Sequence, residues 1–139
     1  MTSAAKQVNY ESMDDRDILV LIKKSREGIN YSAFNEISRN IPLKTEDWSR
    51  ILHLSDRTLQ RYKKEKTRFS PIYSEKIFEV QLLFNKGIGV FGGSETFYNW
   101  LNTKNVALGG ILPVSLLDNS FGILMVKDEL TRIEQGVLA

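Results

Sequence analysis

The sequence predicts an all-α fold, an N-terminal helix-turn-helix bundle followed by a small helical unit. Three observations carry this. Apolar residues recur at helical spacing in the long segments, and no strict alternation favours a sheet. Serine, asparagine or threonine precedes most of these segments, and glycine or proline follows several. Eight of the nine glycines fall after residue 86, a composition shift that marks a boundary or hinge. The expected organisation is a flexible polar tail over 1–14, a helix-turn-helix domain over 15–86 and a second helical domain over 87–139.

The elements follow in order. From Asp15 or Arg16 to Glu27, Ile18, Leu19, Leu21 and Ile22 form an apolar stripe, and Gly28 stands where a C-cap glycine would. Asn30 caps a second helix through Phe34 and Ile37 to about Asn40, where the Ile41-Pro42 step stops it. Thr45 is expected to cap a third helix carrying Trp48, Ile51 and Leu52 inward. Ser55 caps a fourth, with Asp56 adding negative charge at the positive end of the helix dipole. Ser70-Pro71 opens a fifth helix with Ile72, Ile77, Val80, Leu83 and Phe84 at core spacing. Ser94 opens a sixth, with Phe97, Trp100 and Leu101 on one stripe. A short helix is expected around Ser115 to Asp118. The last segment, "FGILMVKDELTRIEQG", reads either as a strand then a helix or as one helix. Ile123, Val126, Leu130 and Ile133 recur at three, four and three, which favours one helix ending at Gly136.

Composition narrows the function classes. The chain has 139 residues, a quarter of them charged, and no cysteine, so disulfides, thiolate metal sites and cysteine nucleophiles are excluded. The N-terminus lacks signal-peptide architecture, and no apolar run approaches the ~20 residues of a membrane helix, so a soluble, cytoplasmic chain is expected. No cofactor is expected. "GIGVFG" at 87–92 matches the dinucleotide fingerprint in letters, but a helical pattern precedes it where a strand is required, so it reads as an interdomain turn. His53 is the single histidine, without partners for a metal or a catalytic triad, and reads as the end of the third helix. Asp14/Asp15, Glu46/Asp47 and Asp128/Glu129 are adjacent pairs, whose members point about 100° apart on a helix and do not converge. Trp48, Phe97 and Trp100 read as core. No set of groups converges for catalysis, and the chain is expected not to be an enzyme.

Charge singles out one stretch. Residues 1–80 carry fifteen Lys/Arg against twelve Asp/Glu, and residues 81–139 four against five. Within 50–68 there are seven basic residues and two acidic ones. On the fourth helix, Leu59 and Tyr62 share a face, and Arg57, Arg61 and Lys64 follow i, i+4, i+7 on the opposite one. Like charges four apart repel, and an external polyanion relieves that repulsion. The third and fourth helices together make a helix-turn-helix. Trp48, Ile51, Leu52, Leu59 and Tyr62 brace it, and Ser55, Arg57, Thr58, Gln60 and Arg61 lie along the turns that enter a major groove. Lys63, Lys64, Lys66 and Arg68 then lie where phosphates are met, and double-stranded DNA is the expected partner. Helix-turn-helix geometry further suggests a homodimer.

The same residues resemble a known family, the Xre-type antitoxins of bacterial RES–Xre toxin–antitoxin systems, from about residue 17 to the end. "LSDRTLQRY" is similar to that family's recognition-helix signature and "RFSPIYSEKIF" to the helix after it. "VFGG", "WL", "NVALGG", "LPVSLLDN", "FG" and "LTRIEQGV" follow in the family's order and spacing. The resemblance implies a DNA-binding N-terminal half and a C-terminal half that grips a RES-domain, NAD-depleting toxin, covering its active site, with dimers repressing their own operon. It places Arg57, Thr58, Gln60 and Arg61 in the DNA-reading stretch. It places Leu108, Gly109, Gly110, Pro113, Leu117, Arg132, Glu134 and Gly136 at the toxin-binding landmarks. The glycines, Pro113 and Leu117 have an alternative structural reading, as turn, helix-start and core residues. Phe97 departs from the alanine the family usually carries three residues before the "WL" tryptophan. The alternative function is a stand-alone helix-turn-helix regulator whose C-terminal half senses a ligand or dimerises.

Overall fold

A computed structural model describes residues 8–136. The fold is all-α. Among the described residues it contains α1 (Asp15–Glu27), α2 (Tyr31–Arg39), α3 (Thr45–Leu52), α4 (Asp56–Glu65), α5 (Pro71–Phe91), α6 (Ser94–Leu101) and α7 (Ser120–Glu134). Two 3-10 turns, Val106–Leu108 and Pro113–Leu116, lie between α6 and α7.

Local chemistry sets most boundaries. Asn30 Oδ1 accepts from Ala33 N at 2.8 Å and Ser55 Oγ from Thr58 N at 3.1 Å, each satisfying an orphan donor of a first turn. Gly28 closes α1 at φ 87°. The third helix begins differently from expectation, because Lys44 is its N-cap and Thr45 its first residue. There the Asp47 carboxylate, three residues on, reaches back to accept from Lys44 N at 3.1 Å, the half of a capping box that secures the N-cap's own amide. His53 ends α3 in the left-handed conformation at φ 56°.

α5 is the axis of the molecule, with α1 and α3 packed along it on one side of the chain order and α6 and α7 on the other. Its Ile77, Val80, Leu83 and Phe84 are fully buried and join Phe97, Leu101, Leu117, Val126 and Leu130 in one apolar cluster. The same cluster continues into the helix-turn-helix through Phe34, Trp48, Ile51, Leu52, Leu59 and Phe69. Phe34 sits edge-on to Trp48 at 5.0 Å and tilted to Phe69 at 5.0 Å, and Phe69 meets Tyr62 at 5.1 Å. Ile72 is 76% exposed, against expectation, because it lies five residues before Ile77 and so about 140° around the helix from it.

The expected turn at 87–92 is helix instead. α5 runs through Gly87 and Gly89 to Phe91, and Gly92 caps it at φ 78°. The reason is packing. A Cβ on Gly87 would lie 2.2 Å from Phe97 Cζ, so the missing side chain leaves the space that the Phe97 ring fills. Phe97 is fully buried there, against Phe84 at 5.1 Å, Phe91 at 5.9 Å and Trp100 at 6.0 Å. The departure from alanine at this position is thereby accommodated by glycine one helix away. A similar approach fixes the start of α7, where a Cβ on Gly122 would lie 1.9 Å from the Leu116 carbonyl oxygen.

Residues 8–13, part of the segment expected as tail, lie against α5 and α7. Asn85 Nδ2 donates to Val8 O at 2.6 Å, and the Lys127 ammonium stands 4.1 Å from the centre of the Tyr10 ring. Residues 1–7 of that tail and Val137–Ala139 lie outside the described residues.

Candidate DNA-facing and partner-binding surfaces

The structure brings most of the basic candidates together on α4. Leu59 is buried and Tyr62 half-buried toward the bundle, and Arg57, Gln60, Arg61, Lys63 and Lys64 are exposed. Arg57, Arg61 and Lys64 share the side opposite Leu59, as their spacing requires. Gln60 and Lys63 border a cleft of about 240 Å3 between α2, α3 and α4. The Arg61 guanidinium lies 5.9 Å from the Tyr62 ring centre, which limits its freedom.

The remaining candidates have structural engagements. Ser55 Oγ caps the helix and donates to Thr58 Oγ1 at 2.9 Å, so these two hydroxyls are committed to each other. Lys66 is the C-cap of α4 in the left-handed conformation, with its side chain exposed. Arg68 Nη1 donates to Gly28 O, tying the loop after α4 to the end of α1. Phe69 N completes that junction by donating to Ile29 O at 2.7 Å.

The second set of candidates divides by exposure. Leu108 and Leu117 are 5% and 0% exposed and Pro113 is buried, so in this fold all three pack. Gly109, Gly110 and Gly136 are exposed with φ of 81°, 78° and 69°, the conformation glycine adopts most readily. Gly109 and Gly110 form the tip of a tight turn closed by Asn105 N to Ile111 O at 3.0 Å and Gly110 N to Asn105 O at 2.8 Å. Arg132 is half-exposed and pairs with Glu129 at 2.9 Å. Glu134 accepts from Lys86 at 3.3 Å.

Three features here escape the sequence reading. Val106 and Ile111, 92% and 42% exposed, flank the glycine turn and give it an apolar rim. Arg50, within the basic run, turns to the C-terminal half. Its Nη2 donates to Val114 O at 2.9 Å and its Nη1 to Ser115 O at 3.3 Å, and His53 Nε2 lies 3.0 Å from Asp118 O. The turn between α3 and α4 is therefore fastened to the second 3-10 turn. Lys86, 4% exposed, is held by Glu11 at 2.7 Å and Glu134 at 3.3 Å. Burial disfavours its charge, but the hydrogen bonds it donates to both carboxylates, together with their negative charges, outweigh that and hold its pKa above the usual lysine value. The same hydrogen bond from Lys86 holds the Glu11 carboxyl below its ordinary range. Burial, with Glu79 and Glu11 nearby, pushes the Tyr10 phenol up to about 12. Among the described residues no acidic or histidine cluster suits a metal ion, and no helix is long and apolar enough to cross a membrane.

Comparison with known proteins divides the chain in the same order. Residues 20–81 match the antitoxin Xre-like helix-turn-helix domain, and residues 87–136 match the antitoxin Xre/MbcA/ParS C-terminal toxin-binding domain. Antitoxin Xre of Yersinia enterocolitica serotype O:8 / biotype 1B (strain NCTC 13174 / 8081) is 27% identical over 121 residues, spanning 86% of this chain and 82% of that protein. Among solved structures, a chain of the crystal structure of the M. tuberculosis MbcT-MbcA toxin-antitoxin complex has a similar fold. The TM-score is 0.58 at 15% identity, over 76% of this chain and 94% of that one.

Proposed function

The chain belongs to the Xre-type antitoxins, an antitoxin of a toxin–antitoxin system, and from this we propose how its two surfaces act. The C-terminal half neutralises a RES-domain, NAD-depleting toxin by covering its active site. The glycine turn at 109–110, its apolar rim of Val106 and Ile111, and the stretch from Arg132 in the last turn of α7 to Gly136 just beyond it make the contact. Leu108, Pro113 and Leu117 support that surface from beneath. The N-terminal half binds operator DNA as a homodimer and represses its own operon. Arg57, Gln60 and Arg61 face base edges, and Lys63, Lys64 and Lys66 meet phosphates. Ser55 and Thr58 position the helix start, and Arg68 braces the loop behind it.

In this reading residues 15–86 form the DNA-binding domain and 87–139 the toxin-binding domain, with α5 shared across the boundary. The action is by binding, without catalysis or cofactor, in the cytoplasm. The observation that supports it best is the pairing, in one chain, of a braced helix with an outward cationic stripe and a C-terminal half matching a toxin-binding domain. Co-expression with the product of the adjacent reading frame tests it. Growth rescue, preserved cellular NAD and a co-purifying complex are expected. Rescue without a complex, or a toxin that leaves NAD unchanged, refutes the proposed mode of neutralisation. Absence of both rescue and complex favours a stand-alone regulator.

A further inference from the structure

The first helix is apolar through its middle and yet buries none of its residues. Its contact with α5 occupies the side of Leu21 and Ser25, both half-buried. Leu19 and Ile22 remain 64% and 38% exposed. At about 100° per residue, Asp15, Leu19, Ile22 and Arg26 follow i, i+4, i+7, i+11 and form one stripe on the side turned away from Leu21. A stripe of that period is the seam along which two helices pair.

We infer that α1 is the surface through which two copies of this chain associate, antiparallel, about a two-fold axis passing between residues 20 and 21. The inference deepens the proposed homodimeric reading of operator DNA and rests on it. The stripe is self-complementary in that orientation. Leu19 faces Ile22 of the partner subunit, and Asp15 faces Arg26 of the partner subunit. Each contact occurs twice, as a two-fold interface requires.

Charge selects the orientation. The first turn of α1 carries Asp15 and Asp17, and the last turn Lys24 and Arg26. An antiparallel pair sets acid against base at both ends, and a parallel pair would set like against like. One helix seam is small for a stable dimer, which needs about 800 Å2 from each partner. The apolar area extends beside it, in a groove of about 760 Å3 between α1, α5 and α7 that Ile18, Ile22, Ile72 and Leu124 line. Ile72 and Leu124 are 76% and 51% exposed.

The test is the oligomeric state of the full chain by sedimentation, alone and with operator DNA. Leu19→Glu places a carboxylate on the seam at a side chain that supports no packing within the subunit, so the helix content stays unchanged. It raises the dimer dissociation constant by about a hundredfold. Asp15→Arg and Arg26→Asp each weaken self-association, and an equimolar mixture of the two restores a heterodimer because opposite charges again meet at both ends. A dimeric Leu19→Glu chain, with no recovery in the mixture, overturns this surface and leaves the homodimeric reading standing. A chain that is monomeric both alone and on DNA overturns both. Loss of toxin capture in Leu19→Glu with dimerisation intact overturns it as well, assigning α1 to the toxin.

Discussion

Gly87→Ala tests the packing that holds the two halves together. Alanine at a helix interior ordinarily gains about 1 kcal/mol over glycine. Here the new methyl would lie 2.2 Å from Phe97 Cζ and 2.4 Å from both Cε atoms, when ordinary contact begins near 3.4 Å. The ring must retreat by about 1.2 Å, and Phe84, Phe91 and Trp100 surround it. Overpacking of this kind costs about 1–3 kcal/mol, and the confinement of the ring by three aromatic neighbours puts it at the upper end, about 2–3 kcal/mol. The expected net effect is a destabilisation of about 1–2 kcal/mol, lowering the melting temperature by about 3–6 °C for a chain of this size. Phe97→Ala alone removes a buried ring and costs about 3–5 kcal/mol. In that background Gly87→Ala changes sign and stabilises by about 1 kcal/mol, since only the helix preference remains. Urea denaturation of the four proteins gives the coupling directly. A neutral or stabilising Gly87→Ala in the otherwise unchanged chain would falsify the assignment of Phe97 to that space.

Arg57→Ala combined with Arg61→Ala leaves the fold intact and weakens operator binding by about 1–3 kcal/mol for each base edge no longer read, measured by titration at fixed salt; unchanged specific binding refutes α4 as the reading helix. Gly122→Ala forces a methyl against the Leu116 carbonyl and destabilises by about 2 kcal/mol or more in thermal melts; an unshifted melt contradicts the close approach. The Glu11 carboxyl has a folded-state pKa below its unfolded value, so its contribution is present above the ordinary carboxylate range and is lost as pH falls through the folded value. An NMR titration places its midpoint below that of a free glutamate, and Lys86→Met returns it to the ordinary range; an unmoved midpoint rules out Lys86 as the cause.

The helix caps were legible because their chemistry is local. Asn30 and Ser55 each act on an amide three residues away, and Gly28 on its own φ. What escaped depends on partners distant in the chain. Nothing adjacent to Lys86 announces that residues 11 and 134 will neutralise it in the interior. The glycines after Lys86 signal flexibility locally, but Phe97, ten residues on, converts one of them into a packing surface. Periodicity gives the phase of a helix and not whether a neighbour covers it, which is why the apolar stripe of α1 stands largely in solvent, whereas Ile72 is exposed because it falls off the buried phase of α5. The landmark order near the C-terminus carries the fold, but it mixes the buried Leu108 and Leu117 with exposed Gly109 and Gly110. Val106 and Ile111 look like core residues to any reading of type alone, and only the turn they flank turns them outward.

The unbroken course of α5 has a mechanical consequence. At about 1.5 Å per residue its 21 residues span roughly 32 Å without a joint. Arg50 riveted to the second 3-10 turn adds a strut beside it. A load applied at one end of α5 therefore passes to the other as tilt and displacement, with no hinge between them to take it up. In the proposed function, a toxin held at the C-terminal end would thereby set the pitch at which α4 meets operator DNA.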